Sequence, residues 1–459
     1  MGIVTRPHAR NQGVEMRFDV LVFVPLLFSS VSSYAESTDL LATYALARAN
    51  DPIYQAARSE HEAILQGIPE ARGTLLPNVA FTAEFTETDQ EIVSSDNQVF
   101  GQGNSSYPTD TLSLSITQPI FRYENIVQLK QAKANVREAG VRLIASEQEL
   151  ILRSASRYLD VLAAKDDLEF ALAEQEANKL QLDQITRRKE VGFANATEVY
   201  ESRARYEFTR STVAEARGDL AERIDALLEI TAQRITDIVP LSDRLPLAEP
   251  DPSDAEQWIA KALQGNLTLQ ARIHQVEASE LEVRRQRAGA FPTLDLLVNS
   301  EQRTTEGSLF GGGSEVDTTD VLIRFRAPLF QGGQVRARRL AASHRYDQAQ
   351  QFAEQERRVV SRETRSAYLG VVNGITKINA LEQSVQSQKL TLESKQKGFV
   401  AGTNTNLEVL DAQRDLYLVL RDHAQARYDY LLSMLDLKAQ VGSLAIEDIE
   451  EVNRWLKNE

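Results

Sequence analysis

The stretch Thr111-Leu112-Ser113-Leu114-Ser115-Ile116-Thr117 alternates strictly between hydroxylic and apolar side chains. Successive side chains of a β-strand point to opposite faces, so this stretch predicts a strand with one polar and one apolar face. Such a strand suits the wall of a membrane barrel, with lipid on one side and water on the other. A soluble sheet packed on a core would alternate in the same way, and the pattern alone leaves both interpretations open.

Three further stretches show the same alternation, Val79–Thr86, Thr293–Asn299 (which Leu297 interrupts) and Val321–Ala327. Each is near the ~9–11 residues that a tilted membrane strand requires. A polar segment rich in glycine, serine and asparagine separates the two stretches of each pair, and these segments are 87–107 and 304–318. Long polar loops of this kind are typical of the extracellular rim of a barrel, which favours the membrane interpretation.

Four strands cannot enclose water, because the smallest membrane barrels use about 8 strands and aqueous ones use more. Several chains must therefore contribute their strands to one wall. The strand count predicts an oligomer.

Two very long helices follow the strand pairs. No proline occurs from Tyr123 to Glu190 or from Gln334 to Phe399. At ~1.5 Å per residue, the first span would extend about 100 Å as a helix. A heptad-like series of apolar residues predicts coiled-coil packing, and it comprises Ile144, Ile151, Ala155, Tyr158 and Leu162.

The chain contains the same plan twice. Residues 55–77 and 270–292 share several identities at one constant interval, and Pro119-Ile120-Phe121 corresponds to Pro328-Leu329-Phe330. Val191-Gly192 likewise corresponds to Ala401-Gly402. We expect a first repeat over residues 36–235 (β-hairpin 78–119, long helices to 231) and a second over 255–442 (β-hairpin 293–328). A proline-rich connector, 236–254, joins them, and a C-terminal segment, 443–459, follows.

The N-terminal 35 residues resemble an export signal. Arginines precede an apolar run from Val20 to Phe28, and Ser33-Tyr34-Ala35 offers a small-x-small cleavage site. We expect the mature chain to begin near Glu36. No other stretch is apolar enough to cross a bilayer as a helix, so a spanning structure would have to be a closed barrel.

Composition excludes several functions. The formal charge of −15 argues against binding nucleic acid through a basic face and would suit a passage for cations. No cysteine is present, which excludes disulfides, thiolate metal sites and lipid attachment through an N-terminal cysteine. The histidines lack metal-ligand spacing and no hydrolase or phosphate-binding motif occurs, so we expect no enzyme activity, no metal and no cofactor.

Three motifs carry a resemblance to a known family. The junctions Pro119–Phe121 and Pro328–Gly333 and the segment Ala401–Gln413 resemble those of the TolC family of outer-membrane efflux proteins. The resemblance implies a mainly α protein with membrane β-structure. It forms a trimeric twelve-stranded barrel in the outer membrane, continued by a long α-helical coiled-coil barrel that places most of the mass in the periplasm.

The resemblance also implies a function. The trimer would be the exit duct of a tripartite efflux pump or a type I secretion system, joined through a periplasmic adaptor to an inner-membrane transporter of the ABC or RND type. The alternative is a structural envelope coiled coil or adhesin without channel activity. A passive duct lacks a selective pocket, so the cargo does not follow from the sequence.

The family places a gate at the helical tips, and its positions map onto this chain. Glu408 and Asp411 match the carboxylate ring, where crowding of three copies should raise some pKa values, although both are also ordinary first-turn helix acids. The expected tip-closure and adaptor-contact residues are Gly192, Thr197, Glu198, Phe399, Gly402 and Asn404. Phe399 and Asn404 replace a tyrosine and an arginine of the archetype, which predicts a weaker or differently built closure.

Overall fold

The computed structural model describes residues 38–94, 103–242, 245–307 and 312–456. The expected export signal, residues 1–35, lies outside the described part. Within these ranges the chain forms ten helices and four strands. The strands are β1 (Asn78–Ile92), β2 (Gly103–Phe121), β3 (Thr293–Thr305) and β4 (Ser314–Arg326). The helices are α1 (Leu40–Asn50), α2 (Pro52–Leu65), α3 (Gly67–Gly73), α4 (Tyr123–Glu190), α5 (Ala196–Thr231), α6 (Ala255–Gly265), α7 (Leu267–Ala288), α8 (Gln334–Ala401), α9 (Asn406–Gln440) and α10 (Ile446–Asn453).

The four strands form one antiparallel sheet in the order β1-β2-β3-β4. The pairing of β2 with β3 joins the two hairpins, which are far apart in sequence. One row across the sheet reads Val79, Ile116, Val298, Val321, and all four side chains are apolar. The next row, on the opposite face, reads Ala80, Ser115, Asn299, Asp320. The sheet therefore has the apolar and polar faces that alternation predicts, and β1 and β4 are its free edges.

The strands extend well beyond the alternating stretches. In the first hairpin, pairing continues from Glu87 opposite Pro108 to Ile92 opposite Gly103, within a segment expected to be a loop. Likewise Thr305 pairs with Ser314 in the second hairpin. Backbone hydrogen bonds join these polar strand ends without needing an apolar face, so hydrophobic alternation underestimates their length. Gly311, in the expected second loop, lies outside the described residues.

The helices α4 and α8 contain 68 residues each, which confirms the prediction of two very long helices. Each turns back at its end into an antiparallel partner, α5 or α9. Within the described residues, none of the helices is both long and apolar enough to cross a membrane.

Most of the predicted heptad series on α4 is buried. Ile151, Ala155, Tyr158 and Leu162 are at most 3% exposed, whereas Ile144 is 51% exposed. The difference has a simple cause. The fully buried members of the main core cluster on α4 begin at Leu150, and before that point Leu143, rather than its neighbour Ile144, packs against the cluster.

The main core packs the middle of α4 against several shorter elements. These are α1, α10, the segment Ile235–Leu241 and the adjoining parts of α5, α8 and α9. The Tyr158 hydroxyl donates to the carbonyl of Val239 at 2.8 Å, and Leu241 forms a β-bridge with Leu456. The connector and the C-terminal segment are therefore parts of the core. Each large side chain buried there stabilises the fold by about 1.5–3 kcal/mol.

Candidate functional site at the hairpin tips

Both long helices end in the same type of turn. At the end of α4, the N–H of Gly192 donates to Lys189 O at 3.1 Å and that of Phe193 to Arg188 O at 2.8 Å. This pair of bonds is a Schellman motif, which satisfies carbonyls that the helix end leaves unpaired. Gly192 has φ +82°, a left-handed conformation that glycine adopts without steric cost.

The end of α8 repeats this geometry. The N–H of Gly402 donates to Phe399 O at 3.2 Å, the N–H of Thr403 donates to Gly398 O at 2.8 Å, and Gly402 has φ +80°. Gly398 differs from its counterpart Arg188 in that the Asn404 side chain occupies the space beside its Cα. A Cβ at position 398 would meet Asn404 Oδ1. The Asn404 side chain is therefore packed onto the last turn of α8.

The returning helix α5 begins with a capping box. Asn195 Oδ1 accepts from the Glu198 N–H at 2.9 Å, and Glu198 Oε2 accepts from the Asn195 N–H at 3.0 Å. Within the protomer, Glu198, one of the expected tip-closure residues, caps its own helix. Thr197 lies exposed in the first turn of the same helix.

Glu408 holds the matching position in α9 but makes different contacts. Thr405 caps the helix by accepting from the Glu408 N–H at 3.3 Å. The Glu408 carboxylate accepts from Lys395 Nζ at 2.9 Å and from the Asn404 amide. These two donors, with a smaller contribution from the Thr405 N–H, hold the pKa of Glu408 below its usual value. Within one protomer the shift is thus opposite to the rise expected from crowding of three copies.

Asp411 joins the two hairpins of one protomer. Its Oδ1 lies 2.8 Å from Arg205 Nη2, and Arg205 belongs to α5 of the other hairpin. The Asp411 side chain is 43% exposed and Arg205 is 20% exposed, so water reaches the pair and moderates its strength. Arg414 approaches the same carboxylate at 4.0 Å.

A small apolar cluster lies beneath these charges. Phe399 is 7% exposed and packs with Ile185, Val199 and Val409, so that residues from all four tip helices meet. The Arg188 guanidinium lies 4.5 Å from the centre of the Phe399 ring, a cation–π contact. Phe399 is therefore an interior residue of the tip.

Sequence reasoning missed one buried polar contact beside this cluster. Asn406, only 1% exposed, donates to Ser202 Oγ at 2.8 Å and accepts from Gln181 Nε2 at 2.5 Å. Asn406 lies within the motif that carried the family resemblance, but it follows the cap residue Thr405, where an exposed asparagine would be unremarkable. Arg205 was missed for a related reason, since its partner lies on a distant helix.

Exposed apolar side chains surround the turns. Val191 and Phe193 at the first tip and Val400 at the second are 68%, 76% and 73% exposed. Neither Gly192 nor Gly402 has an atom within 4 Å of the position a Cβ would take. The ends of both hairpins are therefore open surfaces in one protomer.

Known proteins share this architecture. The profile of the family described as "Outer membrane efflux protein" matches residues 43–233 and 258–443. The chain is similar to the outer membrane protein TolC of Vibrio cholerae, with 30% identity over 439 residues that cover 95% of this chain and 98% of the relative. It is also similar to the alkaline protease secretion protein AprF of Pseudomonas aeruginosa, at 29% identity over 415 residues, covering 90% and 86%.

A solved structure agrees in fold. The CmeC outer membrane channel of Campylobacter jejuni matches with a TM-score of 0.77 over 91% of this chain and 90% of that chain, at 16% identity. Together with the matching family profile, a sheet with two free edges joined to long helical hairpins defines a class, the subunit of a trimeric outer-membrane channel. The chain belongs to the outer membrane efflux protein family.

Family membership decides between the alternatives left open by the sequence. The protein is an outer-membrane exit duct with a large periplasmic helical part, which favours transport over a purely structural coiled coil. The family is one of channels and not of enzymes. Within the described residues, no group of histidine and acidic side chains is arranged to hold a metal ion.

Proposed function

We propose that this duct is gated at the hairpin tips, with Glu408 and Asp411 as the residues that set its preference for cations. Three copies of each carboxylate around a narrow passage would attract cations and repel anions. Lys395 and Arg205 partly offset these charges in each protomer. The proposed gate is therefore less acidic than two bare rings of carboxylates would be.

One observation supports the way this gate is held shut. The Arg205–Asp411 ion pair, at 2.8 Å, connects α5 to α9 and so connects the two hairpins. The Ser202–Asn406 and Gln181–Asn406 hydrogen bonds connect the same hairpins one turn away. These contacts would replace a link through Thr197 and Glu198, since Glu198 is engaged in its capping box. Opening would require the second hairpin to move away from the first and break them.

The test is single-channel conductance of the purified trimer in planar bilayers. Arg205→Gln should raise the basal conductance, because it removes the tie without removing a gate carboxylate. Arg203→Gln, an exposed neighbour on the same helix, is the matched control and should leave conductance unchanged. Equal conductance of Arg205→Gln and the unmodified channel would contradict this closure.

The exposed tip residues would also contact a periplasmic adaptor, and through it an inner-membrane transporter of the ABC or RND type. The apolar side chains at Val191, Phe193 and Val400 support this role, since open apolar groups favour a protein partner. The chain has no cysteine, so one introduced cysteine is a unique cross-linking site. A cysteine at Phe193 should capture the adaptor in cells, and one at Leu180, which is exposed higher on α4, should not.

The relatives support two cargo classes. AprF is named for secretion of a protease, and the family is named for efflux. We propose that selection of the cargo lies with the transporter, because the duct offers a passage and not an enclosed pocket. Deleting candidate inner-membrane transporter genes, one class at a time, tests which cargo then accumulates in the cell.

A further inference from the structure

Two arginines lie on the polar face of the sheet at the helical end of the barrel. Arg324 and Arg326 alternate with Ile323 and Phe325 at the end of β4. Because strand side chains alternate in direction, the arginines share the face of Asp320 and are opposite the row of Val321. The apolar face contacts lipid in a membrane barrel, so both arginines project into the aqueous passage.

The acid nearest to these arginines is already paired. Arg324 is directly opposite Asp295 on β3. The Arg122 guanidinium donates to both carboxylate oxygens of Asp295, at 2.7 and 2.8 Å, and Asp295 is only 6% exposed. With the residues that the structure describes, Arg324 and Arg326 make no salt bridge of their own. Glu124 lines the same cleft as Arg326, but its carboxylate lies 3.7 Å from the Arg285 guanidinium. Among the described residues, Arg324 and Arg326 therefore have no acid paired with them alone.

The edge strand β1, which closes against β4 of the neighbouring protomer, carries no acid near its helical end. Closing the barrel joins the free edge β4 of one protomer to the free edge β1 of the next. The polar-face residues of β1 nearest the helical end are Asn78, Ala80 and Thr82, and none is charged. Glu84 is the first acid along that face, further toward the outer end. Asp295 is thus the acid nearest to Arg324 and Arg326 on the strands, and Arg122 already pairs with it.

We infer that Arg324 and Arg326 of the three protomers form an anion-attracting ring at the base of the barrel, opposite in sign to the acidic tips. Strands about 4.8 Å apart and tilted about 40° place the wall of a twelve-stranded barrel about 12 Å from its axis. An arginine side chain extends roughly half that distance. Its charge therefore lies closer to the barrel axis than the Debye length of about 8 Å at physiological salt. The ring therefore acts on carboxylate or phosphate groups of any cargo that crosses the barrel.

This ring makes the duct bipolar along its length. A cation-favouring gate at the periplasmic end would be followed by an anion-favouring segment at the entrance to the membrane. The measured ion preference of the channel then reflects both segments, and either can be altered separately. The inference rests on the trimeric barrel and does not depend on which contacts close the tips.

The test is the reversal potential of the assembled trimer in planar bilayers under a tenfold KCl gradient. Arg324→Gln combined with Arg326→Gln should raise the cation-to-anion permeability ratio at least about twofold. The charge-preserving pair Arg324→Lys and Arg326→Lys should keep the original ratio. Asp317→Asn removes a charge from the opposite face of the same strand, the face of Val321. It is the matched control and should leave the permeability ratio unchanged.

Two further results separate this ring from the gate. Glu408→Gln combined with Asp411→Asn should lower the same permeability ratio. Because the two sites shift the ratio in opposite directions, a negative result at one site does not affect the interpretation of the other. The effect of the arginine substitutions should shrink at 1 M salt, where screening is stronger. If the glutamine double variant assembles poorly, Arg326→Gln alone is measured. An unchanged ratio in an assembled glutamine variant would overturn the inference.

Discussion

The turn between α4 and α5 and the turn between α8 and α9 have one backbone geometry but use the same glutamate differently. Both turns are Schellman motifs with a left-handed glycine, and both returning helices have a glutamate three residues after the cap. Glu198 bonds back to the N–H of its cap residue, whereas Glu408 bonds to Lys395 and Asn404. Residue type and repeat position therefore do not determine the role of this acid.

The surrounding residues explain the difference. The second turn has Asn404 beside Gly398, which lacks the side chain that Arg188 presents at the matching position of the first turn. Asn404 therefore folds onto the helix end and reaches Glu408, and Lys395 supplies a second donor. A substitution in either tip can test whether the first turn is structural and the second electrostatic.

The largest expected effect comes from the apolar cluster beneath the tips. Phe399→Ala should lower the free energy of unfolding of the tip by about 3 kcal/mol, because it leaves a cavity among Ile185, Val199 and Val409. Hydrogen exchange of the tip amides should show the lost protection. Phe193→Ala, on the exposed counterpart turn, is the control and should change protection little. Equal losses would mean that the two tips are packed alike.

A smaller effect separates the two glutamates. Glu198→Ala should weaken the start of α5 by about 0.5–1 kcal/mol, since it removes half of the capping box. Glu408→Ala should leave the start of α9 intact, because Thr405 still caps it. Hydrogen exchange at each helix start measures the difference. A larger loss of protection at the start of α9 than at the start of α5 would contradict these roles.

The smallest effect is on pH dependence. The lowered pKa of Glu408 means that its contacts stabilise the tip above the ordinary carboxyl pKa and are lost as pH falls through the lowered value. Lys395→Gln removes the main cause, so the acid transition in conductance should move to higher pH. Lys397→Gln breaks a separate pair with Glu393 and should not move it. Coincident transitions in both variants would indicate that another group titrates.

Periodicity predicted the strands and the long helices because each depends on a local pattern. The four alternating stretches and the absence of proline from Tyr123 to Glu190 were enough to locate them. Strand ends in polar segments were missed, since backbone pairing leaves no side-chain signal. The packing of Ile235–Leu241 into the core was also missed, because Pro240 within it and three prolines after it predicted a connector.

The candidate site was predictable in location but not in its contacts. The repeat and the family motif indicated the two turns, and the structure places Gly192 and Gly402 at them with left-handed backbones. The pairs Arg205–Asp411 and Ser202–Asn406 join residues about two hundred positions apart. No local pattern encodes such pairs, which depend on how the hairpins lie side by side.

The main core cluster encloses α4 near its middle, and the separate tip cluster encloses it again at Ile185. From Leu162, the last fully enclosed leucine of that region, α4 continues to Glu190, about 40 Å at ~1.5 Å per residue. A rigid tilt of about 5° at the core would swing the far end by about 3–4 Å. Small repacking near Tyr158 or Ile224 would thus be amplified along α4, and the tip helices would have to move together because Ile185 packs with residues of the other three.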